Sequence, residues 1–70
     1  MFSREVPTVQ VHDRFVKSGD PPGRVWVVIR VWKTVDNLMH ARMIGESRAG
    51  ETRIISVSAL TDHHFYTAAH

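Results

Sequence analysis

The sequence predicts an all-β domain of about five short strands curled into a small barrel, and three observations carry that prediction. Residues 23–32 read Gly-Arg-Val-Trp-Val-Val-Ile-Arg-Val-Trp, a β-branched and aromatic run that suits an extended strand. Turn chemistry recurs at short intervals, at residues 18–23, 34–37 and 47–50. No segment sustains the 3.6-residue apolar period of a long helix.

In chain order, residues 1–8 mix charge, proline and single apolar residues without a period. They mark a loose N-terminal arm ahead of a domain over residues 9–67, with residues 68–70 as a tail. Val9, Val11 and Phe15 alternate with Gln10, His12 and Arg14, an entering strand that continues through Val16 and Lys17 with Asp13 placed to kink it. Ser18-Gly19-Asp20-Pro21-Pro22-Gly23 is a loop, since its prolines cannot donate to a sheet ladder.

The central strand follows directly. Side chains alternate across a strand, so Val25, Val27, Ile29 and Val31 fall on one face and Trp26, Val28, Arg30 and Trp32 on the other. Both faces are largely apolar, which predicts either a curled strand or a second face that packs against another chain or a ligand. Thr34-Val35-Asp36-Asn37 turns the chain into a third strand over residues 38–46, whose core face is Met39, Ala41 and Met43. After a turn at residues 47–50, residues 51–58 form a fourth strand. A serine ahead of a helix-tolerant stretch at residues 58–62 predicts a short 3₁₀ turn, and residues 63–67 close the domain as a fifth strand.

Seventy residues make one small domain, whose core nets about 3–5 kcal/mol and commonly needs a supplement. The chain has no cysteine, so disulfides and thiolate metal sites are excluded, and self-association becomes the expected supplement. The net charge is only +2, but seven of the nine basic residues are arginine, which leans toward phosphate or carboxylate partners. Neither a signal-peptide core nor an apolar run of membrane-spanning length is present, so the expected location is the cytoplasm, with no membrane partner.

The run Val11-His12-Asp13-Arg14-Phe15-Val16-Lys17-Ser18-Gly19, the strand that follows the loop, and the ending Ile55-Ser56-Val57-Ser58-Ala59-Leu60 resemble an SH3-like small barrel. They are similar in kind and spacing to the plasmid-type dihydrofolate reductases, in which SH3-like subunits assemble as tetramers around an active pore. That resemblance implies the fold and self-association, and places Lys17 near the family's pore lysine. Where the family's pore segment reads Val-Gln-Ile-Tyr, this chain has Thr52-Arg53-Ile54-Ile55, and where the family has a glycine before Asp-Arg it has His12. Residues 13–28 are also similar in outline to the KOW-type segment of ribosomal and transcription proteins, which implies nucleic-acid contact.

Two residue sets are candidates for function. Trp26 and Trp32 are six apart and so expected on one side, with Val28 and Arg30 between them, a surface for another protein, a second copy or stacked bases. Arg24, Arg30, Arg42 and Arg53 come from adjacent strands and suit phosphates, although cross-strand pairing with Asp36, Glu46 or Glu51 is an equally economical use of them. Five histidines lack His-x-His or His-x₃-His spacing, so no metal is expected. No nucleophile elbow or phosphate-cradling glycine loop is present, so neither a catalytic residue nor a cofactor is assigned. The expectation is a binding or assembly module, with nucleic-acid binding and an oligomeric pore-type reductase as alternatives.

Overall fold

In the computed structural model, which describes residues 9–69, β1 is Arg14–Lys17, β2 Val25–Lys33, β3 Met39–Gly45, β4 Arg48–Ser56 and β5 Tyr66–Ala68. A four-residue helix α1, Val57–Leu60, joins β4 to β5. The strands form one antiparallel sheet in the order β4-β3-β2-β1-β5. The all-β class is as expected, but the sheet is open: β4 and β5 are its edges. The expected arm at residues 1–8 lies outside the described residues.

The chain enters later than the alternation of Val9 and Val11 implies. Asp13 N–H donates to the Gln10 carbonyl at 3.0 Å, and the Asp13 carboxylate accepts from Gln10 N–H at 2.9 Å, so residues 10–13 form a turn. His12 within it has φ +83°, the left-handed region that favours glycine. Val9 still reaches the core and is fully buried.

One irregularity in β2 decides what faces where. Val28 pairs with Met43 and Arg30 with Arg42, which leaves Ile29 as an extra, bulged residue. Before the bulge Trp26 and Val28 point inward, at 3% and 0% exposure; after it Val31 opposite buried Ala41 packs on the core instead. Trp26 and Trp32 therefore lie on opposite faces, which corrects the expectation of one shared side. A bulge resets the two-residue alternation, and the sequence carries no glycine or proline to announce it. The same kink supplies the curl that two apolar faces require.

The core gathers Val9, Phe15, Trp26, Val28, Ala41, Met43, Val57, Leu60 and Tyr66, with Val31, Met39 and Ile55 against it. Met39, Ala41 and Met43 form the inner face of β3, as the sequence indicates. Gly45 pairs with Trp26 on one side and Arg48 on the other, so the three form a row across three strands. A Cβ at Gly45 would lie 2.9 Å from Arg48 Cβ and 3.1 Å from its Cζ. The missing side chain lets Arg48 cross β3, donate to the Val25 carbonyl at 3.3 Å and place its guanidinium 5.0 Å from the Trp26 ring centroid.

Before β5 the helical turn is α rather than 3₁₀, because Thr61 N–H reaches back to the Val57 carbonyl at 3.0 Å. Its N-cap is Ser56, whose hydroxyl accepts from Ala59 N–H at 3.3 Å. Asp62 then sets a turn: its carbonyl accepts from Phe65 and Tyr66, and its carboxylate accepts from His64 N–H at 2.9 Å. That turn consumes residues 63–65, so the closing strand begins at Tyr66. It runs through Ala68, and Ala69 N–H donates to the Arg14 carbonyl at 2.8 Å.

Candidate functional site

The outer face of β2, β3 and β4 is a grid of cross-strand rows. One row is Trp32, His40 and Ser56; the next is Arg30, Arg42 and Ile54; the third is Val27, Ile44 and Thr52, which Arg14 of β1 extends. Strands lie about 4.8 Å apart, so the two upper rows put an indole, an imidazole and two guanidinium groups within one small area.

Local contacts order this patch. The Arg30 guanidinium lies over the Trp32 ring at 5.2 Å from its centroid, and the His40 ring stacks on Trp32 with centroids 6.1 Å apart and planes 27° apart. Trp32 and His40 are half-buried, whereas Arg30 and Arg42 are exposed. Among the described residues, neither arginine has a carboxylate within ion-pair distance. The cross-strand carboxylate pairing that the sequence allowed is thus absent at this pair. Like charges directly opposite in a ladder oppose pairing, so this row carries an electrostatic cost that an anion would relieve.

The other described arginines are committed. Arg24, at the mouth of the loop before β2, lies 3.5 Å from Glu51 and 4.0 Å from Asp20. Arg48 is hydrogen-bonded to Glu51. Arg53, half-buried on the inner side of β4, donates to the Tyr66 hydroxyl at 3.0 Å and lies 4.9 Å from the Trp26 ring centroid. Arg14 makes a two-pronged pair with Glu46, at 2.7 and 2.8 Å. That pairing holds the Glu46 carboxyl below its ordinary value and raises Arg14, in each case chiefly through the hydrogen bond.

Of the seven candidate residues, Arg30, Trp32 and Arg42 come together on the outer face. Trp26 and Val28 belong to the core, Arg53 supports Trp26 from inside, and Arg24 serves the loop. His40 completes the patch; its place on the Arg42 side of the third strand follows from alternation alone, but its stacking partner does not.

Two further features are already accounted for. A groove of about 450 Å³ runs past His12, Asp13, Thr61 and His63. Two of its polar groups are engaged, since Asp13 caps Gln10 and the Thr61 hydroxyl donates to the Val57 carbonyl. Asp62 is held below the usual carboxylate range, first by the backbone N–H of His64 and then by its ring. No group of three or more metal-binding side chains converges among the described residues. No described helix is long and apolar enough to cross a membrane.

No protein-family model matches the chain, and no curated protein or solved structure matches it significantly.

Proposed function

We propose that this chain is a small, non-enzymatic SH3-like binding module that takes single-stranded nucleic acid on the outer face of β2 and β3. The strand order β4-β3-β2-β1-β5, with a helical turn ahead of the last strand, supports the SH3-like reading. The single observation that carries the function is the Arg30–Arg42 row, two exposed guanidinium groups opposite each other without a counter-ion among the described residues. Arginine binds phosphate bidentately, and the adjoining Trp32 and His40 rings supply a surface on which a base stacks.

A second copy docked on this face by two-fold symmetry would set the same arginines against themselves, which favours a foreign, anionic partner there. An acidic protein segment would meet the charge but leave the ring pair without a planar ligand.

The test is fluorescence anisotropy of a labelled single-stranded oligonucleotide at increasing salt. Binding through two phosphates gives a slope of log K against log salt of about −1.4, at roughly −0.7 per phosphate. Arg42→Ala lowers both affinity and slope. A flat salt response, or wild-type affinity in Arg42→Ala, overturns the proposal. The reductase alternative has its own check: a thermal shift on adding a reduced nicotinamide cofactor, which a binding module does not give.

A further inference from the structure

β4 is nine residues long and pairs on one side only, with β3. Among the described residues nothing pairs with its other edge. Proteins usually blunt such edges with a short strand, proline, charged side chains, a bulge or inward-pointing charges. β4 has no proline or lysine; its bulge is confined to its start and its inward charge, Arg53, is taken up by Tyr66 and Trp26, so it runs in unbroken register from Thr52 to Ser56 against β3. In the middle of that regular run is Ile54, a β-branched residue 60% exposed on the outer face.

The run complements itself. Antiparallel pairing of two copies about Ile54 sets Ile54 against Ile54 and, on the same face, each Thr52 against the partner's Ser56. Those are an aliphatic contact and two hydroxyl pairs, both favourable cross-strand combinations. On the inner face the same register puts Arg53 opposite Ile55, so no like charges meet. Moving the centre by one residue toward the N-terminus opposes Arg53 to Arg53, and moving it by one toward the C-terminus sets Arg53 against Val57, which already belongs to α1. Moving it by two, onto Thr52, places Ile54 opposite Gly50, in the irregular part of the strand. One register therefore satisfies the edge.

We propose that β4 pairs antiparallel with β4 of a second copy about a two-fold axis at Ile54, joining the two sheets edge to edge. The axis is perpendicular to the sheet, so both outer faces lie on one side. Arg42 and its symmetry mate are then three strand spacings apart, about 14 Å at 4.8 Å each. This pairing does not rest on nucleic-acid binding, and it is tested without nucleic acid.

Sedimentation velocity over a range of concentrations is expected to show a reversible dimer. Ile54→Lys, which puts a charge on the edge, shifts the mass to monomer while far-UV circular dichroism is retained, and Ile54→Val keeps the dimer. Because the chain has no cysteine, Ile54→Cys gives a unique thiol. A short bis-maleimide links Ile54→Cys faster than it links Val35→Cys, a fully exposed control. The expected ratio at micromolar protein is on the order of a thousandfold, because a paired neighbour presents a millimolar effective concentration. A wild-type monomer at every concentration, a dimer that Ile54→Lys leaves intact, or equal linking rates at the two positions each overturn the proposal.

Discussion

Arg30 and Arg42 occupy directly opposed positions in the β2–β3 ladder, a placement that burdens the fold unless something negative lies across it. Replacing one of them with an acid separates stability from binding. Arg42→Glu turns the repulsive pair into a cross-strand ion pair, so thermal denaturation is expected to show a gain of about 0.2–1 kcal/mol. Oligonucleotide binding by the same variant is expected to disappear. A variant that is less stable yet still binds contradicts this account of the row.

The two tryptophans have different work. Trp26→Ala empties a core position at 3% exposure and strips two guanidinium groups of their aromatic partner, so urea denaturation should show a loss of about 3–5 kcal/mol. Trp32→Ala leaves the core in place and instead removes about 1–3 kcal/mol of oligonucleotide affinity. Intrinsic fluorescence gives the matching readout: quenching by oligonucleotide persists in Trp26→Phe and vanishes in Trp32→Phe.

Gly45 is fixed by its neighbour. Gly45→Ala places a Cβ 2.9 Å from Arg48 Cβ and 3.1 Å from the Arg48 carbonyl oxygen, so a backbone atom as well as a side chain must give way. The expected loss in chemical denaturation is about 1–3 kcal/mol. Arg48→Ala in the same background relieves only the contact with the distal guanidinium, so the double variant recovers part of that loss, not all of it.

His12 holds a conformation that suits another residue better. At φ +83°, His12→Gly is expected to leave stability unchanged or raise it by up to about 1 kcal/mol, as removal of left-handed strain outweighs the added freedom of the unfolded chain. His12→Val moves the other way, because a β-branched side chain tolerates that region least. Paired thermal melts of the two variants check the sign.

Acid weakens the fold through three exposed carboxylates. Glu46, held down by its hydrogen bond to Arg14, Asp36, held down by the Thr34 hydroxyl, and Asp62, held down by the His64 N–H, all titrate below their ordinary values. A depressed carboxylate contributes stability above its unfolded pKa and loses it as pH falls through the folded one. The contribution of these three carboxylates is therefore expected to be constant above about pH 5 and to decline below about pH 4. Glu46→Gln removes part of that decline, which acid titration followed by circular dichroism will show.

Much of this architecture is legible from residue order. The strand count, the Pro-Pro loop, the inner face of Met39, Ala41 and Met43, and the helical turn ahead of the last strand all follow from alternation and turn chemistry. What is not legible is a single inserted residue. Ile29 looks like any other member of a Val-Val-Ile-Arg-Val run, and nothing local distinguishes a bulged isoleucine from a paired one. The candidate site inherits that ambiguity: Arg30, Trp32 and Arg42 are found by type, but Trp26 is assigned to their company only if β2 is regular. Arg24 and Arg53 lie elsewhere: Glu51, one of the carboxylates that the sequence offered to these arginines, takes Arg24, whereas Tyr66 as the partner of Arg53 comes close only through the fold.

Ile29 also makes the chain's tolerance of a change in length depend on where the change falls. Deleting Ile29 itself removes the unpaired residue and leaves Val28 and Arg30 as consecutive partners of Met43 and Arg42, so Arg30 stays outward and Val31 inward. Deleting a paired residue such as Val31 instead turns Trp32 inward, or straightens the bulge and turns Arg30 inward, so single-codon deletions should be tolerated at Ile29 and fail at Val31. Inside and outside are decided in this molecule by counting paired residues, and Ile29 is the one that the count leaves out.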